Sequence, residues 1–167
     1  MRKKVIAIFI LLLFACFTGW LILEGAGPET LPEGSALPEI SYTGANGSRV
    51  LKPDTATEKM IIYFNTNCEH CKYELSQLDK NAEKFNNIKV YLFTIEKDFF
   101  KKRAFEKWGN LYKNEGITFG IVQKSKYENK FGSMITPSIY IFNSSNKLKR
   151  KIRGEIKIES LLKDLKI

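Results

Sequence analysis

The sequence predicts an α/β fold, and three observations carry that expectation. Two short apolar runs of buried-strand type, "KMIIYFN" (Lys59 to Asn65) and "IKVYLFTI" (Ile88 to Ile95), are separated by a stretch with a different period. In that stretch Cys71, Leu75, Leu78, Ala82 and Phe85 recur at alternating spacings of four and three, which puts them on one face of a helix. Strand, helix and strand in that order form a βαβ unit. The third observation is the pair Cys68 and Cys71, which falls where the first strand ends and the helix begins.

The chain starts with a different kind of segment. Arg2, Lys3 and Lys4 precede Val5 to Leu23, a run without a charge that is long enough for a bilayer core of about 20 residues. Residues 1–23 are therefore read as a membrane anchor or signal segment, expected as one transmembrane helix. Two alternatives stay open. Leu13-Phe14-Ala15-Cys16 resembles a lipobox, though Phe14 stands where a small residue is usual and the apolar run continues past Cys16. Gly25-Ala26-Gly27 offers small residues for cleavage of a secreted form. Cations before the span, and Glu24, Glu29, Glu33 and Glu39 after it, place the N-terminus inside and the rest of the chain outside the cytoplasmic membrane. Residues 24–38, rich in Gly, Pro and Glu, read as a flexible linker, and residues 39–167 as one folded domain.

The remaining elements follow in order. A second helix is expected from Asp98 to Tyr112, with Phe100, Ala104, Trp108 and Leu111 at helical spacing, and these aromatics read as core. "ITFGIV" (Ile117 to Val122) precedes a short helical segment ending near Phe131. "SIYIFN", "NSSN" and "KLKRKIR" read as strand, turn and strand, with Lys147, Lys149, Lys151 and Arg153 expected on one solvated face. Gly154 ends the hairpin, and a closing helix carries Ile158, Leu161, Leu162 and Leu165 on one face. The net charge of +9 is spread along the chain, so a solvated surface explains it, and no nucleic-acid partner is expected.

Chemistry concentrates in "YFNTNCEHCKYE", which holds two of the three cysteines and the single histidine. A structural zinc site needs four ligands, and Cys68, Cys71 and His70 are too few, so no metal and no cofactor are expected. At a helix N-terminus, unpaired backbone N–H groups and the helix dipole stabilise a thiolate at Cys68. That thiolate can attack a disulfide, and Cys71, one turn further in on the apolar face, can resolve the product. A CxxC beside a βαβ pattern signals redox chemistry.

From about Leu37 to the C-terminus the chain resembles membrane-anchored thioredoxin-like proteins of the TlpA/ResA type. "LPEISYTGANGSRV" is similar to that family's opening segment, "CEHCKYE" to its CxxCxxE, "GITFGIV" to its insert strand region and "MITPSIYIFN" to its cis-proline strand. The resemblance implies a central mixed β-sheet flanked by helices, a redox disulfide between Cys68 and Cys71, and a cis Pro137 that, with Thr136, lies against substrate. It also assigns Glu74 to proton handling around the resolving thiol. Departures are visible: Asn67 stands where thioredoxin-like proteins commonly carry Trp, and Ile62 where thioredoxin has a buried Asp. Ile61 and Asn65 replace the Pro and the Thr or Ser that peroxiredoxins need, which weakens a peroxidase reading.

His70, placed as in disulfide isomerases and DsbA proteins, favours the Cys68 thiolate and predicts a pair less reducing than thioredoxin's. Glu69 partly opposes it. The expected function is extracytoplasmic thiol–disulfide exchange with exported cysteine-containing proteins, with a further thiol–disulfide partner recycling the pair. The alternative is a peptide-binding or chaperone module without redox turnover.

Overall fold

The structure, a computed structural model, describes residues 10–20, 31–54 and 57–167. Residues 10–20 form helix α1, on which Ile10, Leu11, Leu13, Phe14 and Phe17 are exposed, as is Cys16. Among the described residues no helix is long and apolar enough to cross a membrane, and the expected span over residues 5–23 lies partly outside them. Residues 24–30 of the expected linker lie outside them as well, and its remainder, residues 31–38, is described.

A hairpin comes first in the folded region, β1 (Ile40–Gly44) and β2 (Gly47–Leu51), followed by β3 (Lys59–Tyr63) and β4 (Lys89–Thr94). Then come β5 (Ile117–Val122), β6 (Ser138–Phe142) and β7 (Leu148–Arg153). They form one seven-stranded sheet in the order β2-β1-β5-β4-β3-β6-β7. The β3–β4 and β4–β5 pairs are parallel, and β6 runs antiparallel to both β3 and β7, so the sheet is mixed. Every residue of β3 and of β6 is buried, as central strands covered on both faces require.

Helix α2 (Glu69–Lys80) follows β3 and buries Cys71, Glu74, Leu75 and Leu78. The apolar period outlasts the helix: Ala82 and Phe85 stay buried, but on a 3₁₀ turn, Ala82–Phe85. One core, containing Met60, Ile62, Phe64, Leu75, Leu92 and Leu161, lies between the sheet and α2 with the closing helix α5 (Ile158–Leu165). The opposite face carries a second core around Ile61, Tyr63, Phe93, Tyr127, Phe131 and Tyr140, to which α4 (Lys124–Phe131) contributes. The alternation along β3 splits its residues between the two, which is how a continuous apolar run serves a two-sided sheet.

Two expectations are corrected. The helix expected from Asp98 to Tyr112 is a run of turns, then a 3₁₀ segment, Ala104–Trp108, and a short α3, Gly109–Lys113. Arg103 at φ 53° has left-handed backbone that a continuous helix cannot contain. Trp108 and Leu111 are nevertheless buried as expected, while Phe100 and Ala104 are only partly covered. The basic run of β7 does not present one cationic face either. Phe142 pairs with Leu148 but Ile141 with Arg150, so Lys149 is the extra residue of a bulge. Lys149 and Arg150 both reach Asp164 of α5, while Lys151 lies over the Tyr140 ring on the other side.

One glycine is fixed by packing. Gly120, paired with Phe93 in the middle of the sheet, has the Tyr42 ring 2.6 Å and the Phe93 ring 2.9 Å from where a Cβ would sit.

Candidate active site

Strand β3 ends at Tyr63, and the chain must turn before α2 begins. Thr66 is anchored in that turn by Glu96, whose carboxylate accepts hydrogen bonds from the Thr66 N–H and from its hydroxyl, both 2.6 Å. The Asn67 N–H donates to Asn65 Oδ1 at 2.8 Å, and the Cys68 N–H to the Asn65 carbonyl at 3.2 Å. Cys68 is thereby set as the N-cap of α2, with extended backbone and no side-chain cap hydrogen bond.

Its sulfur faces the start of the helix. Partial burial opposes the Cys68 thiolate, but the backbone N–H groups of Cys71 and His70, with contacts to Thr136 and the Cys71 thiol, outweigh burial and hold the thiol below its ordinary value. The Cys68 Sγ lies 3.7 Å from the Thr136 carbonyl. Cys71 is the opposite case. It is fully buried, and burial pushes its thiol up to about 12, against the Asn65 N–H, which donates to its Sγ at 3.5 Å. Both thiols are free, as is Cys16. The helix face thus separates one accessible, acidified thiol from one concealed, weakly acidic thiol.

Thr136 and Pro137 meet the pair from the start of β6. The Thr136–Pro137 peptide bond is cis, as the resemblance implies, and Pro137 is buried with its carbonyl accepting from the Gly154 N–H at 2.8 Å. The Thr136 backbone carbonyl lies against the Cys68 sulfur, and the Thr136 side chain adds to the groups that hold the Cys68 thiol down.

Glu74 is 1% exposed. Its Oε2 accepts from the Ile156 N–H at 2.9 Å, and Oε1 has no hydrogen-bond partner among the described residues. Burial raises its carboxyl to about 7, partly offset by the Ile156 N–H and reinforced by the negative charge of Glu155. Glu74 is therefore a proton-holding group near neutrality, one turn along the same helix face as Cys71. His70 is exposed, and its Nδ1 lies 3.0 Å from Glu155 Oε2. That contact raises its pKa, with smaller contributions from the charges of Cys68 and Glu69.

Cys68, His70, Cys71, Glu74, Thr136 and Pro137 are thus gathered at one end of the sheet, while Cys16 lies apart on α1. No cluster of potential metal ligands exists among the described residues. Four contributors escaped the sequence reading: Glu96, the Asn65 N–H, Glu155 and the Ile156 N–H. Two of these are backbone groups that carry no residue signature. Glu155 follows the Gly154 stop signal, the only hint that a turn there is placed against another element.

A mixed sheet that delivers two unequal thiols to one helix end is the arrangement of a thioredoxin-like fold suited to thiol–disulfide exchange, and the chain is similar to thiol–disulfide oxidoreductases of the TlpA/ResA type. Thiol-disulfide oxidoreductase ResA of Bacillus subtilis is 24% identical over 168 residues, spanning 98% of this chain and 91% of that protein. A solution structure of a thiol:disulfide interchange protein from Bacteroides sp. superposes with a TM-score of 0.63 at 21% identity, covering 82% of this chain and 92% of that one. A peroxiredoxin-like protein from Aquifex aeolicus gives 0.68 at 15% identity, covering 84% and 88%, a likeness of fold alone. No protein-family profile matches the chain.

Proposed function

We propose that the protein is a membrane-anchored, extracytoplasmic thiol–disulfide oxidoreductase that exchanges disulfides with exported cysteine-containing proteins through Cys68 and Cys71. The observation that carries this reading is the inequality of the two thiols, one acidified and accessible, the other buried and raised to about 12. Anchoring is supported by the uncharged run from Val5 to Leu23 behind Arg2, Lys3 and Lys4, with the N-terminus inside and the domain on the outer side of the bacterial cytoplasmic membrane. Diacylglyceryl modification at Cys16 and a cleaved secreted form are the competing topologies.

In the reducing direction, the Cys68 thiolate attacks one sulfur of a substrate disulfide. A Cys68–substrate disulfide forms, the substrate S–S bond breaks, and the leaving thiolate takes a proton. Cys71 then loses its proton and attacks the Cys68 sulfur, closing the Cys68–Cys71 disulfide and releasing the second substrate thiol. The substrate gains two electrons and the protein loses two. Run backwards, the same steps oxidise a dithiol. Glu74, charged above about pH 7, is the group placed to accept the Cys71 proton. The Thr136 carbonyl and Pro137 flank the attacking sulfur, and Ile135 beside them is exposed, so an extended substrate segment docks there. The oxidised pair needs a membrane or extracytoplasmic dithiol partner to recycle it.

The test is capture of the intermediate in cells. Cys71→Ser should accumulate mixed disulfides between Cys68 and exported proteins, and Cys68→Ser should not. Captured proteins with haem-binding CxxCH motifs point to cytochrome maturation, and varied secreted proteins to general disulfide repair. If neither variant captures anything and the purified domain still binds unfolded peptide, the protein is a peptide-binding module instead. Mature protein that keeps Met1 or Arg2 and fractionates with the membrane supports the anchor, and an N-terminus at a lipidated Cys16 replaces it.

A further inference from the structure

The turn after β7 touches three parts of the thiol site at once. The Gly154 N–H donates to the Pro137 carbonyl at 2.8 Å, the Glu155 carboxylate meets His70 Nδ1 at 3.0 Å, and the Ile156 N–H donates to Glu74 Oε2 at 2.9 Å. Three consecutive residues therefore tie the proline loop, the residue between the two cysteines, and the buried carboxylate behind the second one. We infer that Glu155 is a positioning residue that links the acidity of Cys68 to the proton held by Glu74, through its contact with His70 and its place in this strap. The inference rests on the thiol–disulfide reading above and adds a residue to it.

The physical argument has two arms, both set by where Glu155 sits. Its carboxylate, 3.0 Å from His70 Nδ1, favours the protonated form of His70, and His70 offers the Cys68 sulfur both a backbone N–H and, when protonated, a nearby positive charge. The same negative charge lies close enough to Glu74 to favour the protonated carboxyl there. One exposed carboxylate thus promotes a thiolate on one side and a protonated acid on the other, the two states needed for attack by Cys68 while Cys71 waits. The charged groups acting here are Cys68 and Glu69 on the His70 side, with Glu69 held by Lys72, and Glu74 on the strap side.

Glu155→Gln separates the arms from mere structure, because the residue is exposed and the amide keeps its shape. In full-length reduced protein carrying Cys16→Ser, the Cys68 thiol pKa should rise by about half a unit and the Glu74 carboxyl pKa should fall. Half a unit leaves about threefold fewer thiolates at neutral pH, partly offset by the greater nucleophilicity of a more basic sulfur, so iodoacetamide should react about twofold more slowly. In a His70→Ala background the same substitution should no longer move Cys68, yet should still lower Glu74. A structural role alone shifts neither group. Unchanged Cys68 and Glu74 titrations in Glu155→Gln overturn the inference, as does an equal Cys68 shift with and without His70. These titrations need no substrate, so failure of the pair to exchange with any disulfide counts against the oxidoreductase reading and leaves this result standing on its own.

Discussion

Glu74 makes the sharpest quantitative claim on the protein's stability. Its carboxyl is raised from an ordinary 4.5 to about 7, chiefly by burial. An acid whose folded value exceeds its unfolded value binds its proton more tightly in the native state, so the native protein is favoured while the group is protonated and loses stability as pH rises from about 4.5 to about 7. The difference of roughly 2.5 units corresponds to a loss of about 3 kcal/mol, complete above pH 7 and absent below about 4. Glu74→Gln removes the charge and keeps the acceptor for the Ile156 N–H. The amide also leaves a buried polar atom unpaired where Oε1 now has no partner, a cost of about 1–3 kcal/mol that does not vary with pH. The informative quantity is therefore the slope. Urea unfolding of both reduced proteins from pH 4 to pH 8 should show the variant gaining on the parent by about 3 kcal/mol over that range, almost all of it between pH 4.5 and 7.5. A difference independent of pH, or one that shrinks with rising pH, refutes a raised Glu74 and with it the role of proton acceptor for Cys71.

Three further outcomes follow from the geometry. In a Cys16→Ser background at pH 7, iodoacetamide should modify Cys68 and leave Cys71 intact until the protein is unfolded, as peptide mass mapping would show; modification of Cys71 first would reverse the assigned roles. Glu96→Ala removes the acceptor of both Thr66 hydrogen bonds and should cost about 1–3 kcal/mol. Its amide exchange should quicken over Asn65 to Cys68 before it does elsewhere, and uniform quickening would mean that Glu96 does not anchor this turn. Gly120→Ala forces a Cβ against the Tyr42 and Phe93 rings and should destabilise by about 1–3 kcal/mol or prevent folding; a melting curve like the parent's would show that these rings give way freely.

Much of this architecture is legible in residue type alone, and the reason differs by element. β3 and α2 are local: an apolar run reads as a covered strand, and Cys71, Leu75 and Leu78 declare a helix face without knowledge of what covers them. The segment after β4 misleads because Phe100, Ala104, Trp108 and Leu111 repeat at helical spacing although Arg103 adopts left-handed backbone, a conformation its side chain does not announce. The bulge at Lys149 is likewise invisible in the alternation of "KLKRKIR", since it is a property of pairing with β6 and not of the strand itself. At the site, the cysteines are found by motif and placed by the helix. Glu96, Glu155 and the Ile156 N–H are contributed by chain segments about 30 to 85 residues away, and only folding brings them in.

In the proposed exchange, the concealment of Cys71 would also act as a timer. In the reduced pair the Cys71 thiol is raised to about 12, chiefly by burial, so it holds its proton at neutral pH. Two of the influences that keep the proton on Cys71, the hydrogen bond with Cys68 and the negative charge there, vanish once the Cys68 sulfur is bonded to a partner. Capture itself therefore starts the clock for release. In the exchange proposed above, the escape of a partner would then depend on how readily Glu74 and the burial around Cys71 let the second proton go.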